Sequence, residues 1–131
     1  MFFCEICVQN LTGGLMEHKT FSASIRPTDG VIAIDMAGDI DGSAEAAMNA
    51  AYAQAESSGS DPVLLNFSGV GYINSTGIAL IVGLLAQARK NHRKLVTYGL
   101  SDHYQEIFRI TRLSDFMGMY DDEASALQQI G

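Results

Sequence analysis

Three small polar side chains stand in a row at Asn74, Ser75 and Thr76, with Gly77 behind them and then the apolar run IALIVGLL, residues 78–85. A side-chain oxygen at such a boundary can accept a hydrogen bond from one of the backbone N–H groups that a helix start leaves unpaired. Capping is the first chemistry these residues offer. DIDGS, residues 39–43, has the same character: Asp39, Asp41 and Ser43 suit a turn and a cap, or a polar contact surface. Cys4 and Cys7 form a C-x-x-C, a spacing that lets two thiolates share a metal or pair with each other. Zinc needs four ligands, and only His18, His92 and His103, in unrelated segments, could complete the set. A redox dithiol belongs at a strand-to-helix junction, not near a chain terminus. The glycines of GVG, residues 69–71, lack the fuller pattern and the lysine of a phosphate-binding loop. With no nucleophile and base in evident partnership, the expectation is a binding protein, not an enzyme, with no metal and no cofactor.

The elements that position these residues follow from length and periodicity. At 131 residues the chain is long enough to bury one core without disulfides or metal. The net charge of −7, with the bases gathered at Arg89, Lys90, His92, Arg93 and Lys94, argues against a nucleic-acid surface. That cluster falls where a helix should end, so it complements the helix dipole. Lys90, Arg93 and Lys94 also close the longest apolar run short of a bilayer span. The leading MFFCEICVQN has no basic region and carries Glu5, which suits a secretory signal poorly, so a cytoplasmic location is expected. Residues 1 to about 18 show no clear period, and residues 1–20 are expected to form a flexible N-terminal tail, with the domain over residues 21–131.

Alternation of Phe21, Ala23 and Ile25, then of Ile32, Ile34 and Met36, around Pro27, Thr28, Asp29 and Gly30 predicts a β-hairpin. Ala44, Ala47, Met48, Ala51, Tyr52 and Ala55 lie at steps of three and four, one apolar stripe on a helix over residues 43–56 with Ser43 as its cap. VLLNF, residues 63–67, reads as a strand covered on both faces, and so does KLVTY, residues 94–98. Between them a helix is predicted from about Thr76 to Asn91. A third helix follows a Ser101 cap with Tyr104, Ile107, Phe108 and Thr111 on one face. FMGMY is a last short strand, and Asp121 caps a closing helix with Ala124, Leu127 and Ile130 inward. Strands alternating with helices predict an α/β domain whose mixed sheet is mostly parallel, with about four helices.

The second helix is apolar on more than one side. Ile78, Ile81, Val82 and Leu85 make a core stripe, and Leu80, Gly83, Leu84 and Gln87 lie on another. Either the helix is deeply covered, or Leu80 and Leu84, with Gly83 admitting a close approach, form a docking strip continuous with Asn74–Thr76. The DIDGS turn should lie beside that loop if both strands end on one edge of the sheet.

Across residues 21–130 the chain resembles a STAS domain, and more closely the anti-sigma factor antagonist (anti-anti-sigma factor) branch. The resemblance rests on MAGDIDGSAEAA (36–47), VLLNFSGVGYINSTGIALIVGLLAQARKNHRKLVTYG (63–99) and EIFRITRLSDFMGMYDDEASAL (106–127) taken jointly. It implies a STAS-like fold and a partner that is both an anti-sigma factor and a protein kinase with an ATPase fold. The unphosphorylated domain binds that partner and frees a sigma factor, and the phosphorylated one does not bind. By position the resemblance puts the phosphoacceptor on Thr76, with Ser75 as the alternative. Together with the DIDGS turn and the helix strip read above, the expected partner contacts are Asp39, Asp41, Ser43, Asn74, Ser75, Thr76, Gly77, Leu80, Gly83 and Leu84. Asn74 stands where the family usually has Asp, which removes a charge beside the acceptor but keeps an acceptor oxygen. Two other readings are a STAS accessory subunit of a transporter complex and a constitutive antagonist that is never phosphorylated. No nucleic-acid or direct membrane contact is expected.

Overall fold

The computed structural model describes residues 20–130, so the C-x-x-C and all of the expected tail but Thr20 lie outside the described residues. β1 (Ser22–Thr28) and β2 (Val31–Ile40) form the hairpin. Asp29 and Gly30 close it with φ of 46° and 82°, the pair of positive angles that a two-residue turn matching the strand twist requires. A 3-10 turn at Gly42–Ala44 leads into α1 (Glu45–Ser57), then β3 (Val63–Ile73), α2 (Ser75–Lys90), β4 (Leu95–Tyr98), α3 (Asp102–Ile110), β5 (Gly118–Tyr120) and α4 (Glu123–Ile130). The five strands lie in sequence order in one sheet. β1 is antiparallel to β2, and every other pairing is parallel. The expected mixed, mostly parallel sheet with four helices is what forms.

Because each parallel crossover advances by one strand in the same direction, right-handed connections bring α1, α2 and α3 onto one face. There Ile34, Ile40, Met48, Tyr52, Leu65, Phe67, Ile81 and Phe108 are almost wholly buried. Phe67 and Phe108 meet edge to face, their centroids 6.0 Å apart. The opposite face carries a smaller cluster, Ala33, Leu64, Val96 and Tyr98 under Ala126 of α4.

Two caps differ from expectation. Ser43 does not cap α1: Asp41 Oδ1 accepts from the Ser43 N–H at 2.9 Å and opens the 3-10 turn, and Ala44 occupies the α1 cap position with no side-chain bond. The predicted α1 stripe is nonetheless the buried one. At the other end Asp122, not Asp121, accepts from the Ser125 N–H at 2.8 Å. Each residue of register turns a helix by about 100°, so Ala126 is buried and Ala124 is exposed. Thr111, expected inward on α3, is exposed as its C-cap.

α4 is tied to the hairpin by charge. Arg26 bonds Asp35 at 2.8 Å and Glu123 at 2.7 Å, and Glu123 also accepts from Tyr98 Oη at 2.9 Å and Thr28 Oγ1 at 2.8 Å. The Arg26 hydrogen bond, ahead of the opposing effect of burial, pulls the Glu123 carboxyl down to about 2. Burial, followed by its bond to Glu123, pushes the Tyr98 phenol up to about 12. A carboxyl that binds its proton less readily in the folded than the unfolded chain contributes stability above its unfolded value, and that contribution fades as pH falls toward about 2. Stability is therefore expected to decline with acidification below about pH 5. Glu123→Gln should lower neutral-pH stability and flatten that acid limb, read from urea midpoints across pH. An unchanged limb would place the acid sensitivity elsewhere.

Candidate functional site

β2 and β3 end side by side, and the end of β3 is tied to both β2 and α3. The Asn74 N–H donates to Ile40 O at 3.2 Å, and the Ile73 N–H donates to the Tyr104 hydroxyl at 2.9 Å. Asn74 is extended, with φ −91° and ψ −176°, and its Oδ1 accepts from the Gly77 N–H at 2.8 Å while its carbonyl receives the Ile78 N–H. Of the three candidate caps, Asn74 is the one that acts. Ser75 and Thr76 occupy the first turn of α2 with their side chains exposed.

Gly77 explains how closely the helix seats. A Cβ at this position would lie 2.2 Å from Ile40 O, so the start of α2 presses directly on the β2 backbone. A Cβ on Gly42 would come 3.5 Å from Thr76 Cγ2. The turn after β2 and the turn after β3 therefore make one surface at the carboxyl edge of the sheet, a usual place for ligands and partners of such folds. It presents the half-buried Asp39 and Asp41 with the exposed Ser43, Ser75 and Thr76. Ser43 Oγ donates to Asp41 Oδ1 at 2.5 Å, which holds that turn in shape. Tyr104→Phe should leave the buried Ile73 N–H without a partner and cost about 1–3 kcal/mol. Urea unfolding measures this, and a neutral change would show that the hydroxyl does not brace the junction.

The docking strip is corrected by the rotation of α2. Seating at Gly77 turns Ile81, Leu84, Leu85 and Ala88 inward, and Leu84 is only 1% exposed. Leu84 is core, and Leu80 is half-buried against it. Val82, expected in the core, is 44% exposed. The outward face consists of Ala79, Val82, Gly83 and Ala86, so of the expected strip only Gly83 lies fully on it. Sequence reasoning also passed over Tyr72, which stands opposite Asp39 in the β2–β3 register and is 54% exposed. Its signal was an aromatic beside Gly71 at the outer end of a strand that otherwise reads as covered.

Among the described residues no three His, Cys, Asp or Glu side chains gather as a metal site would need, and no helix is long and apolar enough to cross a membrane.

A family model described as "Mlab, STAS domain" matches residues 23–120. The anti-sigma-B factor antagonist of Staphylococcus aureus (strain NCTC 8325 / PS 47) is 37% identical over 59 residues, 45% of this chain and 55% of that protein. The chain thus spans about half the length of the curated relatives it matches. A solved anti-sigma factor antagonist from Mycobacterium paratuberculosis superposes with a TM-score of 0.73 at 16% identity, covering 84% of this chain and 93% of that one. The Bacillus cell fate determinant SpoIIAA in its phosphorylated form gives 0.64 at 18% identity, covering 84% and 100%. At such identities these two likenesses speak to the fold.

Proposed function

The chain belongs to the STAS-domain family, and from that membership we propose that it is an anti-sigma factor antagonist of the cytoplasm. In this reading it binds an anti-sigma factor that is also a serine/threonine kinase, so that a sigma factor is released, and phosphorylation of Thr76 ends the association. Ser75 is the alternative acceptor. The single observation that carries the reading is the exposed Thr76 on the first turn of α2, abutting Gly42. One docked protein would cover both turns and the hydroxyl between them.

The residues divide by what they touch. Asp39, Asp41, Ser43, Ser75 and Thr76 offer the polar contact, Tyr72 a large aromatic beside it, and Gly83 a point of close approach farther along α2. Asn74 shapes the loop through its bond to Gly77, and a carboxylate is not needed for that bond. Gly77 and Leu84 support the surface from beneath.

Co-purification from the native host tests the partner. Recovery of an ATPase-fold kinase that also holds a sigma factor is the expected result, whereas recovery of a transporter ATPase or permease would overturn it. Incubation of the purified pair with ATP, followed by phosphosite mapping, tests the switch. Absence of label on Thr76 and Ser75 would leave a constitutive antagonist.

A further inference from the structure

Four large hydrophobic side chains are exposed among the described residues: Tyr72, Val82, Ile110 and Phe116. Val82 and Phe116 line a groove of about 330 Å³ between α2 and the α3–β5 connection, together with the buried Leu85 and Leu113. A benzene-sized ring needs on the order of 150 Å³, so the groove has room for an aromatic side chain and a neighbour. Arg89 also lines it, with its guanidinium 4.6 Å from the Phe116 ring centroid. Among the described residues no acid pairs with Arg89, Lys90, Arg93 or Lys94, so the end of α2 is the basic pole of a chain of net charge −7. Exposed apolar walls beside such a cation fit an aromatic side chain that has a carboxylate next to it.

Tyr72, at the other end of the molecule, supplies that pair. Its register partner across β2 and β3 is Asp39, and Asp41 follows two residues on, so the exposed ring stands at the acidic edge of the sheet. Tyr72 cannot fill the groove of its own chain, because Val82 to Arg89 lie roughly 10–20 Å along the axis from the start of α2. We propose that copies of this chain associate head to tail, with the Tyr72 ring of one copy seated between Val82 and Phe116 of the next and Asp39 brought to Arg89. Ring and groove are different patches, so the contact is heterologous, and the association either extends or closes into a ring of copies. A copy bound through Tyr72 turns its Asp39–Ser43 turn, with the adjoining Thr76, toward its neighbour. Self-association therefore competes with the partner; that consequence rests on the function proposed above, whereas the association itself does not.

Analytical ultracentrifugation of the full chain, without partner and with a thiol reductant so that Cys4 and Cys7 do not cross-link copies, tests the proposal. The average mass should rise with protein concentration. Tyr72→Ala, which removes the ring, and Arg89→Glu with Phe116→Ala, which spoils the groove, should each weaken association by at least about tenfold. Mixed in equal amounts, the two variants keep one good groove and one good ring between them. The mixture should recover a one-to-one dimer that grows no further. A parent chain that stays monomeric up to about 1 mM would overturn the proposal. Association that survives in either variant alone, or a mixture that recovers nothing, would overturn it too. Should a variant fail to fold, dilution of the nitrogen-15-labelled parent decides: the amide signals of Tyr72 and of Val82 and Phe116 should move together, and movement of one set alone, or of neither, would refute head-to-tail contact.

Discussion

Gly77→Ala should cost the fold about 3 kcal/mol or more, although it adds one methyl group. The added Cβ would stand 2.2 Å from Ile40 O and 2.9 Å from Ile73 Cγ2. The first of these neighbours is backbone of the last residue of β2, paired with Ile73 of β3, and has no rotamer into which to retreat. Relief requires α2 to lift from β2, which would break the Asn74-to-Gly77 cap and the Asn74-to-Ile40 bond together. Gly83 supplies the control within the same helix. A Cβ there meets nothing within 4 Å, so Gly83→Ala should gain up to about 1 kcal/mol from helix propensity. Urea midpoints of the two variants should therefore move in opposite directions. If Gly77→Ala matches the parent, α2 is not seated on Ile40, and the joining of the two turns into one surface loses its basis.

That seating also marks where the sequence stopped being readable. Strand alternation around Asp29–Gly30, the α1 stripe from Ala44 to Ala55 and the covered strand at residues 63–67 are local patterns, and each element formed over those residues, although β3 runs on past residue 67 to Ile73. α2 has no such pattern. Ile78, Leu80, Ile81, Val82, Leu84 and Leu85 put apolar side chains on almost every side, so periodicity alone cannot say which face is inward. A contact between residues far apart in sequence, Gly77 against Ile40, makes that choice and sends Leu84 into the core and Val82 to the surface. The misplaced caps have a related cause. Asp41 and Ser43 both have capping side chains, as do the adjacent Asp121 and Asp122, and packing one turn away selects between them. The neighbourhood of the two turns was readable because β2 and β3 are parallel neighbours in the element order, which brings their ends together.

Phosphorylation of Thr76 is expected to weaken partner binding by on the order of a hundred- to a thousandfold while leaving the domain folded. The phosphate adds about −1.5 to −2 charges and three strong acceptor oxygens to an exposed position on the first turn of α2. The helix dipole welcomes that charge by roughly 0.3–1 kcal/mol, so the thermal midpoint of the modified protein should hold or rise slightly. Docking reverses the balance. A surface that already carries Asp39 and Asp41 would have to bury a doubly charged group, and desolvating an ion without a matched cation costs several kcal/mol. Each 1.4 kcal/mol or so is a factor of ten in affinity. Thr76→Ala should bind like the parent and resist switching, and Thr76→Glu should fall between, since one carboxylate supplies only part of a phosphate's charge. Isothermal titration of the captured kinase against all four forms distinguishes the outcomes. Equal affinity for the phosphorylated and unmodified proteins would show that the hydroxyl lies outside the contact. A loss of affinity accompanied by a lower thermal midpoint would show that modification acts by opening α2, not by charging the interface.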